Sequence, residues 1–364
     1  MKDIFYKKII KTFFTIILSI VTFFLILTSN EPVLALSNNC SSEIVMEVNT
    51  NRVLYEKNSD VRSYMASTTK ILTAITVIEN FDINKEIKVG PNTVGIEGSS
   101  IYLEEGEVLT VEHLLYGLML RSGNDCAETL AFGLSGSVEG FVDLMNKTAL
   151  KIGATNSNFV NPHGLHDDNH YTTAYDLALI SCYAIKNPIF KKIVSTKSIE
   201  IPWSTREYNR KLYNKNKMLT RYDGSTGIKT GFTKKAGRCL VTSCYKNGIE
   251  LVCVVLNCPP MWERSATLLD KCYDEYKMTK VIESDNIIDF YKCANGEKVG
   301  VYIKNDVIVP LSKKEKEKII FKVNYNKIKG HIKKDSEIGK VEVYYQNNLL
   351  FVEKIYNIVD INEK

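Results

Sequence analysis

A chain of 364 residues with 45% hydrophobic and 24% charged content can bury one large core or two ordinary ones, which excludes a disordered protein. A formal charge of +5 on 47 basic and 42 acidic residues is too balanced for a nucleic-acid footprint.

The first feature in chain order is an address. Lys2, Lys7, Lys8 and Lys11 precede an uncharged apolar run from Phe13 to Leu27, a polar turn and Val33-Leu34-Ala35. Charged, apolar and small residues in that order predict a secretory signal peptide over residues 1–35, cleaved after Ala35. The apolar run is shorter than the ~20 residues a spanning helix needs, which favours cleavage over retention as an anchor. Cleavage removes four lysines and two acids, and places the mature chain outside the cytoplasm, at the cell wall or the outer face of the cytoplasmic membrane.

From Ser42 to Glu56 the runs Ile44-Val45-Met46-Glu47-Val48 and Val53-Leu54-Tyr55 flank Asn49-Thr50-Asn51-Arg52 and read as a β-hairpin. Next comes Met65-Ala66-Ser67-Thr68-Thr69-Lys70, followed by Ile71, Leu72, Ile75 and Ile78 at helical spacing. Ser67 therefore stands at or just inside a helix start. Lys70, three residues on, shares its face and lies within reach of the hydroxyl. A serine becomes a nucleophile when a base takes its proton, and a lysine serves as that base once burial or a second cation lowers its pKa. The unpaired N–H groups of a helix start suit an oxyanion.

Helical patterns continue over Val111 to Leu120 and Asp125 to Leu134, joined by Arg121-Ser122-Gly123-Asn124, and then over Val138 to Ile152. An irregular loop from Thr155 to Asn169 contains Asn161-Pro162-His163-Gly164-Leu165, and Thr173 to Ala184 returns to helix. Strands resume at Gly227-Ile228-Lys229-Thr230-Gly231-Phe232-Thr233 and run through a hairpin at Asn247-Gly248 to Leu256, before a helix from Met261 to Tyr276. Strands flanking a helical insertion indicate an α+β fold, an antiparallel sheet with a helical subdomain, over residues 36–278. From Val281 the chain turns to short β-rich runs, at Val299 to Ile303, Val307 to Val309, Ile319 to Val323, Val341 to Tyr345 and Leu349 to Glu353. These predict a small all-β sandwich over residues 279–364, in which the mixed-sign run Lys313 to Lys318 is a solvated turn.

Nine cysteines follow the predicted cleavage point, at 40, 126, 182, 239, 244, 253, 258, 272 and 293, an odd number without a Cys-x-x-Cys pair. In the Asn247-Gly248 hairpin Cys244 faces Leu251 and Cys253 faces Thr242, so no two cysteines are opposed. Mostly free, buried thiols and a reducing or anaerobic setting are expected.

Three short motifs thus occur in order: Ser67-x-x-Lys70, Ser122-Gly123-Asn124 in a turn between helices, and Lys229-Thr230-Gly231 on a strand that opens a hairpin. Together they form the signature of penicillin-binding proteins and serine β-lactamases. With Tyr64 to Lys70, Arg121 to Asp125, Asn161 to Leu165 and Gly227 to Thr233 followed by Ala236-Gly237, the chain from about Ser42 to its C-terminus resembles the serine D-alanyl-D-alanine carboxypeptidases, the low-molecular-mass penicillin-binding proteins. The resemblance implies a catalytic domain followed by a β-sandwich, removal of the terminal D-alanine from peptidoglycan pentapeptide stems, acylation by β-lactams, a monomer, and neither cofactor nor metal.

Under that resemblance Ser67 is the nucleophile and Lys70 its base, kept neutral with the help of Lys229, which also attracts the substrate carboxylate. Ser122 relays a proton to the leaving amine, and Asn124 holds Lys70 and the substrate amide. Gly231 leaves room for the substrate backbone along the strand, and the N–H groups of Ser67 and Phe232 form the oxyanion hole. Thr230 and, by resemblance, Arg264 complete carboxylate recognition. The cluster His163, His166, Asp167, Asp168 and His170 invites a zinc reading, but its place in the Asn-Pro-His-Gly-Leu loop favours a structural role. Cys126 reads as a small buried apolar substitute. A β-lactamase is disfavoured because no Glu-x-x-Leu-Asn lies between Ser122 and Lys229. A vestigial penicillin sensor is disfavoured because both lysines and both serines are present. The segment Ile355 to Lys364 is too short for an amphipathic anchor, so a released or wall-held protein is expected.

Overall fold

The computed structural model describes residues 40–363; the predicted signal peptide lies outside them. The central sheet has five antiparallel strands, in spatial order Val53–Lys57, Ser42–Glu47, Ile249–Leu256, Gly237–Lys246 and Ser225–Thr233. The strand Ser42–Glu47 is buried throughout, because both faces of the sheet are covered. Alternation sorts its residues between two cores. Ile44 and Met46 join Val241, Val252 and Val254 beneath the helical region, whereas Val45 joins Leu240, Leu251 and Val255 beneath the helix Met261–Glu275. Asn247 and Gly248 both take positive φ, as a two-residue hairpin turn requires, and the register pairs Thr242 with Cys253 and Cys244 with Leu251.

The helical region inserts between the first hairpin and the last three strands. Lys70–Asn80, Asn124–Ser135, Val138–Ile152 and Ala174–Ile185 follow the expected periodicity. The segment from Val111 departs from it. Regular helix ends at Tyr116 and a wider π-helical turn, Gly117–Arg121, delivers Ser122 in the left-handed region. Close packing accompanies that turn, since a Cβ on Gly117 would stand 2.6 Å from Cys126 Sγ and 2.8 Å from Ile101 Cδ1. The helix Pro188–Ser195 and the hairpin Ser198–Ile201 with Arg210–Tyr213 were not legible in the pattern.

Seven of the cysteines are free and buried, but Cys40 and Cys258 form a disulfide that the sequence reading omitted. The cause is register. Ser42 pairs with Leu256, and continuing that antiparallel ladder by two residues brings position 40 to position 258. With a disulfide present, the argument for a reducing setting lapses.

The C-terminal region is all β, built on a five-stranded sheet in the order Asp289–Lys292, Lys298–Tyr302, Asn348–Asn357, Glu337–Tyr345 and Ile319–Tyr325. Its core contains Val301, Val307, Val309, Val343 and Ile355. The strand Tyr276–Ile282 follows directly on the preceding helix, spans the expected boundary at 278/279 and pairs with Val307–Ser312. The charged run is not simply a solvated turn: Lys313–Lys316 forms one helical turn with a capping box between Ser312 and Glu315. Glu315 is buried and ion-pairs with Arg52 from the first hairpin, whose guanidinium also donates to the Pro310 carbonyl. Among the described residues no helix is long and apolar enough to cross a membrane.

Candidate active site

Ser67 sits in the 3-10 turn Ala66–Thr69 that precedes the helix Lys70–Asn80, and from Lys70 to Val77 every residue of that helix is buried. Two glycines let other segments close on this turn. A Cβ on Gly164, whose φ is +86°, would lie 2.0 Å from the Ala66 carbonyl oxygen. One on Gly231 would stand 2.9 Å from Met65 O and 3.1 Å from Ser67 N. Gly231 was expected to clear space for substrate; the space it clears is occupied by the serine turn itself.

Lys70 is fully enclosed. Its Nζ lies 3.1 Å from Ser67 Oγ and donates to Asn124 Oδ1 at 2.7 Å and to the His163 carbonyl at 2.5 Å. Burial, and then the positive charge of Lys229, hold its amine well below the usual lysine range. Lys229 is itself buried, donates to Thr230 O at 2.9 Å, and is brought down to about 7 by burial and secondarily by Lys215. Asn124 is fixed from its other side, where its amide nitrogen donates to Glu97 O at 2.5 Å and its backbone N–H donates to Ser99 O at 2.7 Å. The neighbouring Asp125 accepts from Ile101 N and Leu103 N, which pins the 97–103 segment over the site.

The loop containing Asn161 to Leu165 explains itself as a clamp. Asn161 Oδ1 accepts from Gly164 N at 2.7 Å, Pro162 O accepts from Thr73 Oγ1 at 2.7 Å, and His163 O receives Lys70. Its histidines point to separate partners. His163 Nε2 meets Glu128 at 3.0 Å, His170 Nε2 meets Thr69 Oγ1 at 2.8 Å, and His166 stands edge-on to Tyr64 and 3.4 Å from Asp168. Cys126 is buried, and burial pushes its thiol well above the ordinary range, as suits an inert packing group.

A cleft of about 270 Å³ opens above these residues. Ser67, Ser122, Thr230, Gly231 and Phe232 line it, while Lys70, Asn124 and Lys229 are buried and stand outside its lining. Arg264 does not line it. Its Nε and Nη2 each reach a different carboxylate oxygen of the buried Glu43 at 2.7 Å, and Nη2 also reaches Tyr55 Oη at 3.1 Å. The structure therefore does not bring Arg264 into the cleft beside Thr230, where the resemblance expects it. The sequence reading missed Ser99, Lys215, Arg238 and Trp262, all of which do line the cleft. Lys215 Nζ donates to Ser99 Oγ at 3.0 Å, and no pattern around it gave a signal. Arg238 had one: the tight turn after Thr233 returns position 238 directly opposite Phe232. A larger recess of about 480 Å³ beside Lys277, Leu311 and Lys313 contains none of the motif residues.

The profile of the D-alanyl-D-alanine carboxypeptidase family matches residues 28–259, and that of the C-terminal domain of penicillin-binding protein 5 matches residues 276–363. The chain is 30% identical over 312 residues to the D-alanyl-D-alanine carboxypeptidase DacF of Bacillus subtilis, covering 84% of this chain and 78% of the relative. It is 30% identical over 320 residues to the carboxypeptidase DacA of Haemophilus influenzae, covering 82% and 79%. Among solved structures, penicillin-binding protein 5 of Haemophilus influenzae superposes with a TM-score of 0.76 at 26% identity, over 90% of this chain and 98% of that one. A D-alanyl-D-alanine carboxypeptidase of Mycobacterium tuberculosis gives 0.62 at 30% identity, over 65% and 91%.

Proposed function

The chain belongs to the D-alanyl-D-alanine carboxypeptidase family of serine hydrolases, and from that premise we propose that it removes the terminal D-alanine of peptidoglycan pentapeptide stems through an acyl-enzyme on Ser67. It acts outside the cytoplasm as a monomer in cell-wall maturation, and β-lactams acylate the same serine.

The observation that carries this reading is the environment of Lys70. A neutral lysine has two N–H bonds and one lone pair. The carbonyl oxygens of Asn124 and His163 take the two N–H bonds, and the lone pair is left facing the Ser67 hydroxyl at 3.1 Å. Lys70 therefore receives the Ser67 proton as Oγ attacks the carbonyl of the penultimate D-alanine. The N–H groups of Ser67 and Phe232 meet the developing oxyanion, each worth about 3 kcal/mol in comparable sites. Collapse of the tetrahedral intermediate breaks the peptide bond, and the departing D-alanine amine takes a proton relayed through Ser122. Lys229 and Thr230 hold the substrate carboxylate. Water then attacks the ester, with Lys70 again taking the proton, and Ser67 is regenerated.

The test is D-alanine release from a pentapeptide stem mimic by the purified protein and by Ser67→Ala, with labelled penicillin in parallel. Release that vanishes in the variant, together with a long-lived penicilloyl adduct in the parent, supports the proposal. Rapid penicillin turnover without D-alanine release assigns a β-lactamase, and an adduct with neither activity assigns a sensor.

A further inference from the structure

Two carbonyl oxygens decide where the lone pair of Lys70 points, and one helix is tied to both. Asn124 Oδ1 and the His163 carbonyl accept from Lys70 Nζ at 2.7 and 2.5 Å. Asn124 opens the helix Asn124–Ser135, and Glu128, four residues on, shares its face. Glu128 Oε1 lies 3.0 Å from His163 Nε2, so the residue that supplies the second acceptor is bound to the helix that supplies the first. We infer that Glu128 is a positioning residue of the reaction: through the His163 ring it holds the His163 carbonyl on Lys70, and so keeps the Lys70 lone pair on Ser67. The inference rests on the function proposed above, in which Lys70 is the base.

Three observations support it. The ring has a defined proton, because Leu165 N–H donates to His163 Nδ1 at 3.1 Å; that nitrogen therefore carries a lone pair, and the ring's own N–H is on Nε2, aimed at Glu128. Little water competes for this bond, since the two side chains are only 10% and 13% exposed. The carbonyl in question also needs a brace. Its peptide runs into Gly164, at φ +86°, and a residue without a side chain leaves that peptide free to rotate unless its neighbours hold it. Thr73 holds the Pro162 carbonyl and Asn161 holds the Gly164 N–H, one residue to either side, whereas the His163 ring is held by Leu165 from within the loop and by Glu128 from outside it. The chemical consequence is direct. With the His163 carbonyl displaced, Lys70 can turn an N–H bond towards Ser67 Oγ in place of its lone pair, and an N–H there cannot accept the serine proton.

The test is the rate constant of Ser67 acylation at saturating benzylpenicillin, measured with the ligand in excess, where a smaller folded fraction lowers the amplitude and leaves the rate constant unchanged. Glu128→Ala is expected to lower this constant about 10- to 100-fold, as a misaimed base does, while the dissociation constant of the non-covalent penicillin complex changes about two-fold or less. Glu128→Gln, whose amide oxygen accepts the same Nε2–H, recovers the rate to within about three-fold of the parent. His163→Ala removes the ring and keeps the carbonyl; combined with it, Glu128→Ala lowers the rate no further, because the path through the ring is already cut. Glu128→Met, of similar volume and without an acceptor, takes the place of the alanine variant in each comparison if that one does not fold. An alanine variant that acylates at the parent's rate constant, a glutamine variant no faster than the alanine one, or full additivity of the two changes overturns the inference. The readout needs acylation and not turnover, so a protein that is acylated but releases no D-alanine disproves the proposed function while still testing Glu128. A protein that benzylpenicillin does not acylate overturns both.

Discussion

At the scale of single residues, burying Lys70 and Lys229 makes the stability depend on pH. Lys229 has an ordinary value of 10.5 when unfolded and about 7 when folded. Between these values the unfolded chain holds a proton that the folded chain does not, so stability rises with pH across that window and the penalty for burial is fully felt below it. Lys229→Met should therefore be more stable than the parent at pH 7, by about 2–4 kcal/mol, with the difference shrinking towards pH 10; denaturant titrations at several pH values measure it. Lys70→Met should lose D-alanine release and penicillin acylation by at least about 1000-fold while still folding, because it removes the base and no packing volume. Bicarbonate-free rate assays on both substrates, with circular dichroism as the control, check that outcome.

At the scale of elements, the catalytic geometry depends on three segments closing on the serine turn. Gly164→Ala combines a positive φ with a 2.0 Å collision against the Ala66 carbonyl, so it should destabilise the fold by more than about 2 kcal/mol and abolish acylation. Gly231→Ala meets backbone at 2.9 Å, a smaller conflict that the edge strand can relieve by moving. It should leave the melting temperature within a few degrees and lower the acylation rate about 10- to 100-fold, as a misplaced turn would. These elements also show what sequence reading reaches. Ser67, Lys70, Ser122, Asn124 and Lys229 were legible because each motif is local and its neighbours set its helix or turn. The hairpin register at Cys244 and Cys253 was legible because a two-residue turn admits one pairing. The pairing of Arg264 with Glu43 was not legible, because an arginine's partner is decided by whichever carboxylate the tertiary fold brings to it, and Glu43 lies 221 residues away. Ser122 was expected after a regular helix, and nothing in Gly117 to Arg121 announces the wider turn that delivers it.

At the scale of the whole molecule, the ion pair of Arg52 with Glu315 joins the catalytic sheet to the β region, and both side chains are at most 10% exposed. Removing one partner of a buried pair leaves the other without compensation, a loss of about 3–5 kcal/mol. Arg52→Ala should separate one calorimetric unfolding transition into two, with the β region melting first and D-alanine release retained up to the second. Retention of a single transition at the parent's temperature would show that the junction is held by other contacts.

The position of Ser42–Glu47 in the middle of the sheet has a consequence in time. The first strand to be synthesised pairs on one side with Val53–Lys57, made a few residues later, and on the other with Ile249–Leu256, made some 200 residues later. The disulfide that locks this arrangement spans 218 residues. The nascent chain therefore keeps its central strand half-paired through most of translation. The sheet closes only when about nine-tenths of the catalytic region has emerged, so a prematurely ended chain has neither a finished sheet nor a partner for Cys40, and presents an open strand edge to quality-control proteases instead of a penicillin-reactive serine.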